Sequence, residues 1–212
     1  VLPTVSELHA KKDKVKLTAG VNLLNRYLLA SMLPVILSIF VFTGFFIKLF
    51  FGVKYLEGIV SFQILIIGVL FYMVSNINNN ILTGLGNPKL VTKSILYAAI
   101  VNVILNLILI PLYGIEGAAV STTFSYFLSF SYSSNKLSIL TDIKLPFLLW
   151  FKLLIISGIS LGFMIYVKGM ILDEYLQLVI LPLFVIFYLI FLFMFRIVDL
   201  NEVKYRLKLI FK

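Results

Sequence analysis

The chain has no cysteine, one histidine, one tryptophan and few charged residues. Without cysteine, disulfides and thiolate-bound metals are excluded, and the redox compartment is left open. The single histidine, His9, stands in a charged segment with no second imidazole, which makes it a solvated side chain rather than a metal ligand. Only 13% of residues are charged, against roughly a quarter in soluble domains. Long polar linkers are also lacking, so the chain reads as one body. The nine acidic residues fall outside the middles of the apolar runs. A carboxylate at membrane depth is the usual place for proton or sodium coupling, and this sequence supplies none.

What the chain has is apolar length. Hydrophobic residues make up 61% of its 212 positions, and the mean hydropathy is +1.09. About 20 apolar residues in a helix cross the ~30 Å hydrocarbon core. Six such runs are legible: A at 27–47, B at 58–82, C at 94–112, D at 115–134, E at 146–167 and F at 175–195. None carries the polar outer face that a soluble helix requires. The expected fold is all-α, a polytopic membrane helix bundle of about six spans. A basic amphipathic cytoplasmic segment (1–26) precedes it, the transmembrane domain runs over 27–197, and a basic tail (198–212) follows.

The net charge of +9 is distributed in a way that tests the span count. Lys11, Lys12, Lys14, Lys16 and Arg26 precede A. Lys89 and Lys93 lie between B and C. Lys136, Lys144 and Lys152 lie between D and E or open E, and Arg196, Lys204, Arg206, Lys208 and Lys212 follow F. Only Lys48, Lys54 and Lys168 of the 18 basic residues fall on the other side. Positive charge collects on the cytoplasmic side, so both ends of the chain are expected in the cytoplasm, with a cell membrane as its location. Basic residues that flank apolar spans meet lipid headgroups rather than nucleic acid. The chain starts with Val, and residues 1–26 lack the pattern of a signal peptide. The expectation is a piece of a longer protein.

Local signals refine this outline. Thr4 and Glu7 have capping-box spacing. Leu8, Val15, Leu17, Val21 and Leu24 are apolar among lysines, which suits an amphipathic helix leading into A. Gly84-Leu85-Gly86-Asn87-Pro88-Lys89 joins B to C as a chain reversal. Pro111 to Gly117 joins C to D so tightly that the two must be antiparallel neighbours. Pro34 and Pro182 stand within A and F. D carries Gly117, Ser121, Ser125, Ser129 and Ser133 at four-residue intervals, a small-residue stripe for close helix packing.

No catalytic constellation, metal cluster or cofactor motif is present. Asp173-Glu174 is read as a solvated loop pair. The candidate functional groups are polar residues within the spans. Arg26, where A leaves the cytoplasm, either grips a phosphate through two parallel hydrogen bonds or snorkels to headgroups. Asn76, Asn79 and Asn80 share a face of B, and Asn102 and Asn106 share a face of C. Buried amides either bond between helices or line a wet cavity able to meet sugar hydroxyls. The candidate substrate path is therefore Arg26, Asn76, Asn102 and Asn106.

The turn Gly86-Asn87-Pro88-Lys89, the pair Asn102 and Asn106, the stretch Leu109-Ile110-Pro111-Leu112-Tyr113-Gly114-Ile115-Glu116-Gly117-Ala118-Ala119 and the following Ser121-Thr122-Thr123 occur in a characteristic order. So arranged, they resemble the polysaccharide transporter and O-antigen flippase branch of the multidrug/oligosaccharidyl-lipid/polysaccharide exporter superfamily. Leu2 to Leu8 is similar to the end of that family's eighth helix, and Phe50 to Tyr55 to its following outer loop. The resemblance covers roughly residues 1–134. It implies that A to F are the last six of fourteen helices of a MATE-like flippase, with the N-terminal lobe absent. It also implies a lipid-linked glycan as substrate and alternating access as mechanism. Pro88, Pro111, Gly114, Gly117 and Ala118 are the structural residues of the shared motif. Two rival readings remain: a drug or cation exporter of the same superfamily, and a membrane-embedded glycan ligase or glycosyltransferase.

Overall fold

A computed structural model describes residues 2–11, 13–141, 147–170 and 179–195. All regular structure among these residues is helical. The elements are α1 (Leu2–Ala10), α2 (Lys14–Val41), α3 (Thr43–Phe50), a 3-10 turn (Val53–Gly58), α4 (Ile59–Gly84), α5 (Pro88–Thr141), α6 (Phe147–Met170) and α7 (Ile180–Met194). Among the described residues, four helices are long and apolar enough to cross a membrane, and α7 is a shorter apolar helix. The chain is an all-α polytopic membrane bundle.

α5 is two spans written as one helix. At Gly114 the backbone turns to φ 56°, ψ −132°, outside any helical region, and only glycine reaches it without strain. Pro111 lacks the N–H that would continue the ladder and helps to end the first limb. The chain then doubles back. Ser94 Oγ bonds the Ser129 carbonyl at 3.2 Å, and Tyr97 meets Tyr132 edge to face at 5.5 Å. The limbs 88–113 and 115–141 each exceed the ~20 residues a crossing requires. These are spans C and D. Spans A, B, E and F correspond to α2 with α3, to α4, to α6 and to α7.

The fold divides into two compact units, residues 1–21 with 55–145, and 22–54 with 146–212. In the first, α4 packs along the second limb of α5, and α1 lies against α4 with Val5 and Leu8 buried. α1 already runs at Leu2, so Thr4 sits inside the helix rather than at its cap. Asp13 is the cap that sequence inspection missed. Its carboxylate accepts from the Lys16 N–H at 3.0 Å and opens α2.

The end of α4 is a Schellman closure. The Gly86 N–H bonds the Thr83 carbonyl at 2.9 Å and the Asn87 N–H bonds the Leu82 carbonyl at 3.0 Å, with Gly86 at φ 76°. Pro88 then begins α5, where its missing N–H costs nothing.

In the second unit, α2 and α3 are separated at Phe42. The Thr43 hydroxyl bonds the carbonyls of Ile39 (2.8 Å) and Phe40 (2.9 Å), a back-bonding that bends helices. Lys168, expected in an outer loop, lies in the last turn of α6. Its Nζ donates to the Val41 carbonyl at 2.8 Å and sits 5.0 Å over the Phe42 ring. Phe42, Met164 and Phe184 form the buried centre here. Pro182 stands in the first turn of α7, a tolerated position, rather than mid-span. The tail 198–212 and the Asp173-Glu174 pair lie outside the described residues.

Candidate functional site

Helix α4 presents two faces with different chemistry, and its asparagines sort between them. Asn78 is fully buried and donates to Ser134 Oγ at 2.9 Å, with Ser133 Oγ at 3.5 Å. One turn earlier, Ser75 Oγ lies 2.7 Å from Ser129 Oγ, which is itself 3.0 Å from Ser94 Oγ. That hydroxyl junction ties α4 to both limbs of α5. Further along, Thr123 Oγ1 donates to the Ile64 carbonyl at 2.9 Å. A Cβ on Gly68 would come within 2.7 Å of the Thr123 hydroxyl, so glycine permits this approach. The stripe Gly117, Ser121, Ser125, Ser129 and Ser133 is buried throughout, as a packing stripe should be.

The other face of α4 opens a groove. Tyr72, Asn76, Asn79, Asn80 and Thr83 line one wall of a cavity of about 440 Å³. Thr122, Ser125, Tyr126 and Ser129 from the second limb of α5 line another, and Asn102, Ala98, Ala99, Ile95 and Val91 come from the first limb. Among the described residues, no lining side chain is charged. Asn80 donates to the Asn76 side-chain oxygen at 2.9 Å, and the Asn76 side-chain amide donates to the Tyr72 hydroxyl at 3.3 Å. The Tyr72 ring lies 5.0 Å from the Tyr126 ring, tilted by 44°. Asn76 and Tyr72 are exposed. An amide and a phenol exposed on a spanning helix, with two further amides half-buried beside them, are costly against hydrocarbon, so this face suits water or a polar ligand.

Of the sequence candidates, Asn76 and Asn102 line this groove. Asn106 does not. It donates to the Asn102 side-chain oxygen at 3.0 Å, while Asn102 reaches Thr122 Oγ1 at 3.4 Å. Asn106 thus orients Asn102 from one turn away, and its own side-chain oxygen is buried without a partner. Arg26 lies on α2, and its side chain is outside the described residues. Pro88 and Gly114 serve the two turns as described. Gly117 is the tightest point of the hairpin, because a Cβ there would land on the Leu109 carbonyl. Ala118 is half-buried, whereas Ala119 beside it is 2% exposed and is the closer-packed of the two. Tyr72, Tyr126, Thr83 and Thr122 were missed. The signal was present: Tyr72, Asn76, Asn80 and Thr83 recur at helical spacing, as do Thr122 and Tyr126.

Comparison with known proteins finds the chain similar to membrane proteins of archaea. It is 31% identical over 205 residues to an uncharacterized membrane protein of Methanocaldococcus jannaschii, covering 96% of this chain and 40% of that protein. A second uncharacterized membrane protein of the same organism is 40% identical over 73 residues, 34% of this chain and 18% of its own length. A protein of Haloferax volcanii named as a probable low-salt glycan biosynthesis flippase is 26% identical over 169 residues, covering 77% of this chain and 35% of that protein. The chain spans two fifths or less of the length of these relatives. No family model matches it. No solved structure matches it.

Proposed function

We propose that the chain is part of a membrane flippase or exporter for lipid-linked oligosaccharide or polysaccharide precursors, and that the α4–α5 groove lines part of the substrate path. The observation that carries this reading is the likeness over 77% of the chain to the haloarchaeal protein named as a glycan biosynthesis flippase. The groove supports it chemically. Amides, hydroxyls and phenols on a spanning hairpin offer hydrogen bonds to sugar hydroxyls at a depth where lipid offers none. Transport proceeds by alternating access, with the remaining length of such relatives supplying the other half of the path. The absence of any charged lining residue in this groove counts against a drug or cation exporter, which holds its cargo with carboxylates.

The test is flipping of a fluorescent lipid-linked oligosaccharide in proteoliposomes containing the protein. Protein-dependent flipping that is lost on changing Asn76 and Asn102 together to Leu is the expected result. Transport of a cationic dye in its place would establish the rival exporter. Sugar transfer lost on changing Asp173 and Glu174 to Ala would establish the glycosyltransferase.

We further propose, from the distribution of basic residues, that both ends of the chain lie on the cytoplasmic side of a cell membrane. Cysteines placed at Lys89 and Lys136 should resist an impermeant thiol reagent in intact cells, and one at Lys54 should label. The chain contributes no background, having no cysteine of its own.

A further inference from the structure

We infer that the groove is a subsite for an uncharged sugar ring, recognised by amide hydrogen bonds and aromatic stacking, and that the charged phosphate part of a lipid-linked glycan is held elsewhere. The inference rests on the flippase reading for its choice of ligand, and on the groove itself for its chemistry.

Three observations converge. The first is the kind of hydrogen bonder present. Asn76, Asn79, Asn80 and Asn102 each carry both donors and an acceptor, and so do the hydroxyls of a sugar. A phosphate or carboxylate only accepts. It would face amide oxygens it cannot use, and among the described residues no Lys or Arg lines the groove to offset its charge. Desolvating an anion against such a wall is unfavourable. The basic side chains on the same limb of α5, Lys89 and Lys93, are exposed and outside the lining.

The second is the aromatic pair. Tyr72 is 46% exposed, and its ring is braced at 5.0 Å by Tyr126. A ring that lines the cavity can serve as a platform for the C–H face of a pyranose, and the hydroxyl of the same residue accepts from the Asn76 amide, which orients the two together. The lining also includes Ala98 and Ala99, whose small apolar side chains leave room for a flat ring. The third is size. About 440 Å³ lies within the ~300–1,000 Å³ typical of small-molecule sites.

The test uses the chain in lipid nanodiscs and three probes: a short-chain prenyl diphosphate carrying a neutral hexose disaccharide, the same lipid carrying a hexuronic acid disaccharide, and the sugar-free prenyl diphosphate. Saturation-transfer NMR reads which ligand protons touch the protein, and competition between the probes ranks affinity. The neutral sugar should bind about tenfold more tightly than either other probe, the equivalent of one or two well-made neutral hydrogen bonds. Its ring protons should receive the saturation. Tyr72→Leu and Asn76→Leu should each erase most of that preference, whereas Tyr72→Phe, which keeps the ring, should retain much of it. Tyr72 and Asn76 are exposed, and an unchanged melting temperature shows that folding is not at issue.

Equal binding of the sugar-free diphosphate would overturn the inference, and so would a preference untouched by Tyr72→Leu and Asn76→Leu. Flipping measured in parallel separates the two readings. A neutral-sugar preference without flipping of any probe removes the flippase reading and leaves the sugar subsite standing. Flipping without any sugar preference does the reverse.

Discussion

The two units of this protein solve the same problem in different ways. In the unit built on α4 and α5, helices meet through polar atoms and missing side chains. Ser75, Ser94 and Ser129 share a hydroxyl junction, Asn78 reaches Ser134, Thr123 caps the Ile64 carbonyl, and Gly68 and Gly117 let backbones close. In the other unit the centre is Phe42, Met164 and Phe184, with Leu37, Val41, Phe45, Phe46 and Val167 packed around it. Gly158 and Gly162 of α6 have open space where a Cβ would stand. Lipid is as apolar as leucine, so burying apolar surface gives spanning helices little reason to associate, and close packing and hydrogen bonds carry more of the specificity. The stitched unit is the one with geometric precision, and it is the one that holds the groove.

Glycine substitutions break this comparison most sharply. Gly117→Ala should be the most damaging single methyl in the first unit. The added Cβ meets the Leu109 backbone carbonyl, which no side-chain rotation can relieve. Overpacking of that kind costs about 1–3 kcal/mol or more. Gly158→Ala and Gly162→Ala should instead be neutral or stabilising by ~0.5–1 kcal/mol, because an open helical glycine gains helix propensity. Unfolding of the three variants in the same mixed micelles measures the contrast. Equal losses in both units would remove the distinction drawn here.

Next in size is the division of the asparagines. Asn78→Leu removes the donor to Ser134 at a buried contact, while Ser133 keeps its bond to the Phe130 carbonyl, and should cost about 1–2 kcal/mol, the upper range for hydrogen bonds between spanning helices. Asn76→Leu, on the exposed face, should leave stability within ~0.5 kcal/mol of the parent, as surface changes usually do. A thermal scan of both, set beside their binding or flipping, tells a packing amide from a lining one.

Lys168→Met should have a smaller effect, confined to the second unit. The variant loses a bond to the Val41 carbonyl and a cation above the Phe42 ring, together about 1 kcal/mol. Hydrogen exchange should quicken at residues 42–46 and remain unchanged along α4. Quickening along α4 would show that the units are not separable in this respect.

The smallest effect belongs to the exposed Glu7–Lys11 pair at 2.6 Å. The hydrogen bond and charge of Lys11 hold the Glu7 carboxyl below its usual value, and Glu7 raises Lys11. A depressed carboxyl contributes stability above its unfolded value and loses it as pH falls through the folded one. A raised lysine contributes below its unfolded value and loses it as pH rises through the folded one. The pair should therefore tighten α1 across the neutral range and loosen it in both acid and strong base. An NMR titration in which Lys11→Ala returns Glu7 toward its ordinary value checks the direction.

Much of the outline was legible before any coordinates. Hydropathy is a sum over neighbours in sequence, and about 20 apolar residues meet one bilayer thickness wherever they occur. That local rule marked the membrane class, the spans and the hairpin, and turn chemistry marked Gly86, Pro88 and Gly114. The sharing of one face by Asn76, Asn79 and Asn80 was also readable, because i, i+3 and i+4 residues neighbour one another on any helix. Which face looks into a groove and which into a neighbour was not readable. Asn78 and Asn76 are two residues apart and chemically identical, and only the approach of residues 122–134, about 55 positions later, makes one a packing amide and the other a lining one. The same holds for Lys168, whose partner carbonyl is 127 positions away. Helical periodicity sorts residues around one axis; the pairing of axes depends on contacts distant in sequence, and only the tertiary structure decides it.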